Sequence, residues 1–206
     1  MTRDTTGAPE LRVLFICTGN MYRSPLAERL LAPRLPNARV SSAGTRAWGS
    51  TGMDAATLAA LESLGGEGTG FASTVLTPEL IAAADLVLGL AREHRDEAVR
   101  MCPAALRRTF TLKEFLRLVH GVTEHTRTPR ELIARVAVAR GTPYPVPAVD
   151  DEIADPQGGG LGALMRCAHE IETAVAALAA LLAPSEPFAP PEPRAPRRSC
   201  QLTQGG

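Results

Sequence analysis

The sequence predicts an α/β fold of three layers, with a central four-stranded parallel sheet and helices on both faces. Three observations predict it. Short apolar runs alternate with longer segments of helical character along most of the chain. The first of these runs, Leu11 to Ile16, is apolar on both faces, as a strand covered by helices on either side must be. The segment 161–182 carries apolar residues at helical spacing and is long enough to cover a sheet.

In chain order, Leu11, Val13, Leu14, Phe15 and Ile16 read as a buried parallel strand. Ser24 and Pro25 read as a helix N-cap and first-turn pair ahead of Leu26, Leu30 and Leu31, giving a helix over 25–32. A strand over 38–42, helices over 54–64 and 78–83, a strand over 86–90, a helix over 92–101 and a strand over 108–110 follow. The alanine-rich stripe of the last helix, 161–182, is core. One domain is expected over 11–183, with disordered residues 1–10 before it and a disordered Pro- and Arg-containing tail, 184–206, after it. That tail holds six prolines between Pro184 and Pro196 and lacks the apolar content to fold, though such tails can dock partner proteins. An insertion at about 118–150 contains a short amphipathic helix over 129–139 and the Pro143 to Pro147 run, which must be extended. It either flanks the mouth of a site or makes a passive surface excursion.

Composition excludes several classes. With 206 residues, 45% hydrophobic content and zero formal net charge, the chain can bury a core and carries no global basic surface for nucleic acid. No apolar signal stretch opens it, and no run approaches the roughly 18 apolar residues of a membrane helix, so a cytoplasmic protein without membrane insertion is expected. Cys17, Cys102, Cys167 and Cys200 are too scattered for a disulfide framework, and no pair has metal-ligand spacing. His94, His120, His125 and His169 fall in polar helices or loops, read as solvent-facing and receive no role. Neither a metal nor a cofactor is expected.

The segment Cys17-Thr18-Gly19-Asn20-Met21-Tyr22-Arg23-Ser24-Pro25 carries the chemistry. It sets a thiol and a guanidinium, with five residues between them, in the turn from a strand end to a helix start. Free backbone N–H groups and the positive end of the helix dipole converge there, so a tetrahedral oxyanion is held at a phosphate-binding loop. The same field stabilises a thiolate at Cys17, the attacking form. Gly19 lets the backbone bend, and Arg23 offers a planar fork for two phosphoryl oxygens. Asn20 reads either as a turn residue tolerant of left-handed geometry or as a brace for the loop through its side chain. Ser24 either caps the helix alone or also gives its hydroxyl to the Cys17 sulfur. Taken alone, such a Cys-to-Arg spacing arises often by chance.

With its context, the segment resembles the low-molecular-weight protein-tyrosine phosphatase family, whose loop reads Cys, two residues, Asn, two residues, Arg, Ser, Pro. The resemblance runs from about Leu11 to about Leu182. Ser41-Ser42-Ala43-Gly44-Thr45 is similar to the family's second strand and turn, which implies that Ser42 supports Asn20. Trp48 matches the aromatic wall of the family's pocket. Residues 76–80, 84–90 and 109–115 match later segments, and Asp155-Pro156 stands where the family carries its general acid. Asp150, Asp151 and Glu152 are rivals for that role, but only Asp155 precedes a proline and the Gly158 to Gly160 run.

The resemblance implies a phosphomonoester hydrolase, a protein-tyrosine phosphatase working through a cysteinyl phosphate on phosphorylated proteins. Cys17 is then the nucleophile, Arg23 the clamp and Asp155 the acid and base, with Thr18, Gly19, Asn20, Met21, Tyr22, Ser24 and Trp48 around the phosphate and substrate. Three departures bear on specificity. Tyr22 replaces the family's second loop cysteine, Phe71 stands where many members have a histidine, and Gln157 replaces an aromatic residue after Asp-Pro. A phosphate-binding interaction module, a phosphoarginine phosphatase and an arsenate reductase remain alternatives. Met21, bulky where phosphoarginine-directed members carry threonine, argues for a phenyl phosphate. Cys102 and Cys167 match no relay pair.

Overall fold

The computed structural model describes residues 10–49, 51–122, 126–140 and 148–183. The expectations of disorder over residues 1–9 and 184–206, the extended run from Pro143 to Pro147, His125 and Cys200 lie outside the described residues.

Four parallel strands form the sheet: β1 (Leu11–Cys17), β2 (Ala38–Gly44), β3 (Leu86–Gly89) and β4 (Thr109–Thr111), in the spatial order β2-β1-β3-β4. Helices α1 (Arg23–Leu31) and α7 (Gly160–Leu182) pack on the face that takes Val13, Phe15 and Cys17. Helices α3 (Pro78–Ala83) and α4 (Arg92–Met101) cover the face that takes Leu14 and Ile16. This two-sided burial is why β1 reads as an unbroken apolar run. The chain leaves β1 towards β2 on one side and later returns to β3 on the other. The crevice created by that reversal, at the carboxyl ends of the strands, is where open parallel sheets place ligands.

Local chemistry starts the remaining helices. Asp54 accepts a hydrogen bond from the Thr57 amide at 2.7 Å and opens α2 (Ala55–Ser63). Thr77 and Thr128 cap α3 and α6 (Pro129–Ala139), each followed by a proline in the first turn. Thr111 and Glu114 form a reciprocal capping box on α5 (Leu112–Val119).

Several boundaries differ from expectation. Helix α1 begins at Arg23, and Ser24, buried in its first turn, does not cap it; the N-cap position is Tyr22, with no side-chain cap bond. The fourth strand runs over 109–111 rather than 108–110, and the last helix starts at Gly160. Helix α5, directly after β4, was not expected. Within the segment expected to be an insertion, residues 126–140 are neither a passive excursion nor a flank of the pocket. Leu132, Ile133 and Val136 are buried in the main core, and Arg140 lies over the Phe110 ring at 4.1 Å while bonding Glu114 at 3.1 Å. Arg130 holds Asp85, just before β3, at 2.9 and 3.0 Å. Among the described residues, no helix is long and apolar enough to cross a membrane.

Candidate active site

The strand β1 ends at Cys17 and α1 starts at Arg23, so residues 18–22 turn between them. Asn20 carries the turn in the left-handed region, φ +52°, the one non-glycine residue with positive φ among those described. Its side chain is fully buried and completely engaged. Nδ2 donates to Ser42 Oγ at 2.8 Å and Ser24 Oγ at 3.0 Å, and Oδ1 accepts from the Thr74 amide at 2.7 Å. Asn20 is thus a brace and not merely a tolerant turn residue. Ser42 passes the chain on, donating to Glu28 Oε2 at 2.6 Å; burial pushes the Glu28 carboxyl up, against the lowering effect of the Ser42 bond. Gly44 is required by close approach: a Cβ there would meet Thr18 O at 2.7 Å and the Asn20 nitrogen at 2.8 Å. The segment after β2 is pinned to the loop by Thr45 N–H to Cys17 O at 3.0 Å and Arg46 N–H to Thr18 O at 2.8 Å.

Cys17, 3% exposed, has Ser24 Oγ at 2.9 Å from its sulfur and the Asn20 amide at 3.3 Å. The hydroxyl expected to serve the helix end therefore faces the thiol. Arg23 is buried, with Nη2 at 2.5 Å from Asp155 Oδ2 and Nη1 at 3.3 Å from Ile153 O. Asp155 reaches it from a loop tied down along its length. Thr111 Oγ1 donates to Asp151 O at 2.6 Å, the Ile153 amide to Leu90 O at 2.8 Å, and the Gln157 amide to Asp155 Oδ1 at 3.1 Å. Of the rival acids, Asp151 is buried between Arg92 and Arg117, and Glu152 accepts from the Arg92 amide at 3.2 Å. Neither they nor Asp150 lines the cavity.

That cavity, about 450 Å³, brings Cys17, Thr18, Gly19, Met21, Tyr22 and Arg23 together with Asp155 and Gln157. Trp48 stands at its rim, 95% exposed. Asn20, Ser24 and Ser42 lie behind the loop rather than on the cavity surface. Tyr22 gives its hydroxyl to Leu164 O at 2.5 Å, which fastens the loop to α7; burial, then Cys167 and Asp54, push its phenol up to about 12. Phe71 is stacked under the Arg29 guanidinium at 5.7 Å, away from the loop's hydrogen bonds. Cys167 is a buried thiol whose sulfur is 3.7 Å from Ala154 O, pushed up to about 12 chiefly by burial, and Cys102 ends α4. Among the described residues, no three His, Cys, Asp or Glu side chains group to hold a metal ion.

One histidine overturns its expected surface position. His94, on α4, is 1% exposed, and its Nε2 lies 2.9 Å from Thr18 Oγ1 and 3.3 Å from Glu93 Oε1. Nε2 shares its hydrogen bond with the Thr18 hydroxyl, and Nδ1 is buried without a partner among the described residues. Burial, then the nearby Arg23 charge, lowers this histidine to about 4, against the opposing pull of Asp155. The signal for it was positional: His94 opens the helix after β3, at the same sheet end as Cys17. Arg46 and Asp54, also on the cavity wall, were missed as well.

Comparison with known proteins agrees with this geometry. The model of the low molecular weight phosphotyrosine protein phosphatase family matches residues 12–136. The low molecular weight protein-tyrosine-phosphatase Etp of Escherichia coli K12 is 34% identical over 104 residues, covering 50% of this chain and 70% of Etp. The protein-arginine-phosphatase of Geobacillus stearothermophilus is 33% identical over 171 residues, covering 82% of this chain and 93% of that protein. The solved structure of the YwlE arginine phosphatase from the same organism superposes with a TM-score of 0.63 at 32% identity, over 82% of this chain and 91% of that one. The Erwinia amylovora tyrosine phosphatase AmsI, at 22% identity and a TM-score of 0.65 over 86% of this chain and 97% of its own, shares the fold.

Proposed function

The chain belongs to the low-molecular-weight phosphotyrosine protein phosphatase family, and from that premise we propose that it hydrolyses phosphotyrosine in proteins through a cysteinyl phosphate at Cys17. The observation that carries the reading is the convergence on one cavity of the Cys17 sulfur, the Arg23 guanidinium and the Asp155 carboxyl. The Cys17 thiolate attacks phosphorus in line, and the P–O bond to the leaving oxygen breaks. Arg23 and the amides of residues 18–23 hold the equatorial oxygens as their charge develops. A phosphate dianion seated on Arg23 takes over the pairing that Asp155 makes at 2.5 Å. The released carboxylate, beside negative oxygens, takes up a proton from solvent and is then placed to give it to the leaving oxygen. In the second step the ionised Asp155 takes a proton from the attacking water, and Cys17 departs as thiolate towards the Ser24 hydroxyl, 2.9 Å away.

Two observations favour phosphoarginine as a second substrate. The arginine phosphatase of G. stearothermophilus matches 82% of this chain against 50% for Etp, and Gln157 leaves a phenyl ring with Tyr22 and Trp48 on the cavity wall but no aromatic partner beside Asp155. Met21 at the cavity wall opposes it. The test is hydrolysis of p-nitrophenyl phosphate, a phosphotyrosine peptide and a phosphoarginine peptide by wild type and Cys17→Ser, with EDTA and reductant present. Turnover lost in Cys17→Ser with phosphate binding retained is expected. Turnover that survives Cys17→Ser would sink the cysteinyl-phosphate reading, and a phosphoarginine rate well above the phosphotyrosine rate would reverse the order of substrates.

A further inference from the structure

Two charged side chains on the cavity wall play no part in that chemistry. Arg23 and Asp155 are taken up with each other, which leaves Arg46 and Asp54. Asp54 is partly committed, because its Oδ1 caps α2. Arg46 is not. Its backbone is fixed by the 2.8 Å bond to Thr18 O, one residue from the nucleophile. Its guanidinium is exposed and makes no hydrogen bond or ion pair with any described residue. Glu97, the acid of α4 that feels the Arg46 charge, is already held by two nitrogens of Arg100 at 2.6 and 2.8 Å.

Resting on the phosphatase reading, we propose that Arg46 selects substrates that carry a carboxylate beside the phosphorylated residue, while Asp54 penalises it. The Arg46 backbone is anchored to the phosphate loop, so a substrate whose phosphate is seated over Cys17 brings its flanking residues to a cation of fixed origin. A guanidinium offers two parallel N–H donors that match a carboxylate, whereas it gains nothing from a neutral side chain and repels a lysine. The phosphate's own charge is met by Arg23 and the loop amides, so the rim cation is left to read the neighbouring residue. Arg46 also attracts every phosphorylated substrate through its long-range field. The diagnostic quantity is therefore a ratio between substrates and not a rate on one of them.

The experiment uses phosphotyrosine peptides that differ only in one flanking position, Glu, Ala or Lys, with kcat/KM measured at low and at 0.5 M salt. Wild type is expected to prefer the Glu peptide over the Ala peptide by about two- to fivefold at low salt, as an exposed charge pair allows, with the preference shrinking in high salt. Arg46→Gln should bring the ratio close to one, and Arg46→Glu should turn the preference towards Lys. Asp54→Asn keeps the helix cap and should increase the preference for Glu. Ratios that stay the same in both Arg46 variants overturn the proposal. If wild type turns over neither the peptides nor p-nitrophenyl phosphate, the catalytic reading has failed separately, and the binding affinities of wild type and Arg46→Gln for the same peptides give the ratio instead. Equal preference in the two proteins would then overturn the proposal.

Discussion

Asn20 occupies a backbone region that costs most L-residues on the order of 1 kcal/mol or more, and four hydrogen-bonding partners, including its own amide's contact with the Cys17 sulfur, hold it there. The shape of the phosphate loop is thus fixed from behind, which leaves the front surface free for the anion. Asp155 lines that front surface. Asp155→Asn should slow hydrolysis of an alkyl or simple phenyl phosphate by roughly 10²–10⁴-fold, and that of p-nitrophenyl phosphate far less, because a good leaving group hardly needs a proton. Equal losses on both substrates would assign Asp155 to binding alone. His94 gives a different signature. The fold holds its ring neutral, lowered to about 4, while the unfolded chain takes up the proton near 6.5. The stabilisation this implies is fully present above about pH 6.5 and is lost as pH falls through 4, in total about 3 kcal/mol. His94→Gln abolishes that dependence, so denaturant unfolding of the two proteins should show a stability gap at pH 7.5 that closes by pH 4.5. A gap that stays constant with pH would mean that the ring is not kept neutral.

The elements explain why the Asp155 carboxyl arrives where it does. The loop that carries Asp155 is clamped to α4 and α5 through Asp151, which accepts from Arg92 at 2.9 Å and from Arg117 at 3.0 and 3.1 Å. Burial alone would raise this carboxyl, but the two arginines outweigh it and hold it below the usual carboxylate range. The stabilisation it supplies is present above about pH 4 and disappears only as pH falls further, a window separate from that of His94. Asp151→Asn leaves Arg92 and Arg117 without their shared charge. It should cost about 1–3 kcal/mol near neutral pH and raise sensitivity to the leaving group, because a loosened loop presents Asp155 poorly. Unfolding midpoints from pH 3 to 8 and rates over a series of aryl phosphates check both halves. At this scale much was legible in the chain. The strand-turn-helix around Cys17 announces itself by an apolar run, a glycine and a Ser-Pro pair, and the long helix α7 by its periodicity. Helix α5 was missed although Thr111 and Glu114 have the spacing of a capping box, because eight residues give too little periodicity to separate a helix from the end of a strand. Ser24 was misread in part because a Ser-Pro pair fits an N-cap, and only the fold reveals that the helix begins two residues earlier, which turns the hydroxyl to the sulfur. His94 was not legible from its polar neighbours, since what buries it is a loop 76 residues away.

Across the whole molecule, the site depends on a sheet buried from both sides, and helix α6 shows that not every element serves the site directly. Leu132, Ile133 and Val136 enter the same cluster as Phe15, Phe110 and the inner face of α7, yet no residue of α6 lines the cavity that holds Cys17. Its partners are α5, the 3₁₀ turn over 103–108 and the strand-start side of β3 through Arg130 and Asp85. Stability and catalysis should therefore separate here. Ile133 is 4% exposed, so Ile133→Ala removes three buried carbons and leaves a cavity, at a cost of about 2–5 kcal/mol. For a chain of this size each kcal/mol lowers Tm by roughly 2–4 °C. The folded fraction at 25 °C should nevertheless keep the catalytic geometry, because the loop's braces come from β2, the Thr74 backbone and α4 and not from α6. Thermal unfolding together with kcat/KM per folded molecule on p-nitrophenyl phosphate decides the matter. A clear fall in Tm with activity within about twofold of wild type is the expected pair of results. A fall in activity that tracks the fall in stability would show that α6 reaches the site through α5 and the Asp151 clamp, and that the two ends of the sheet form one cooperative unit.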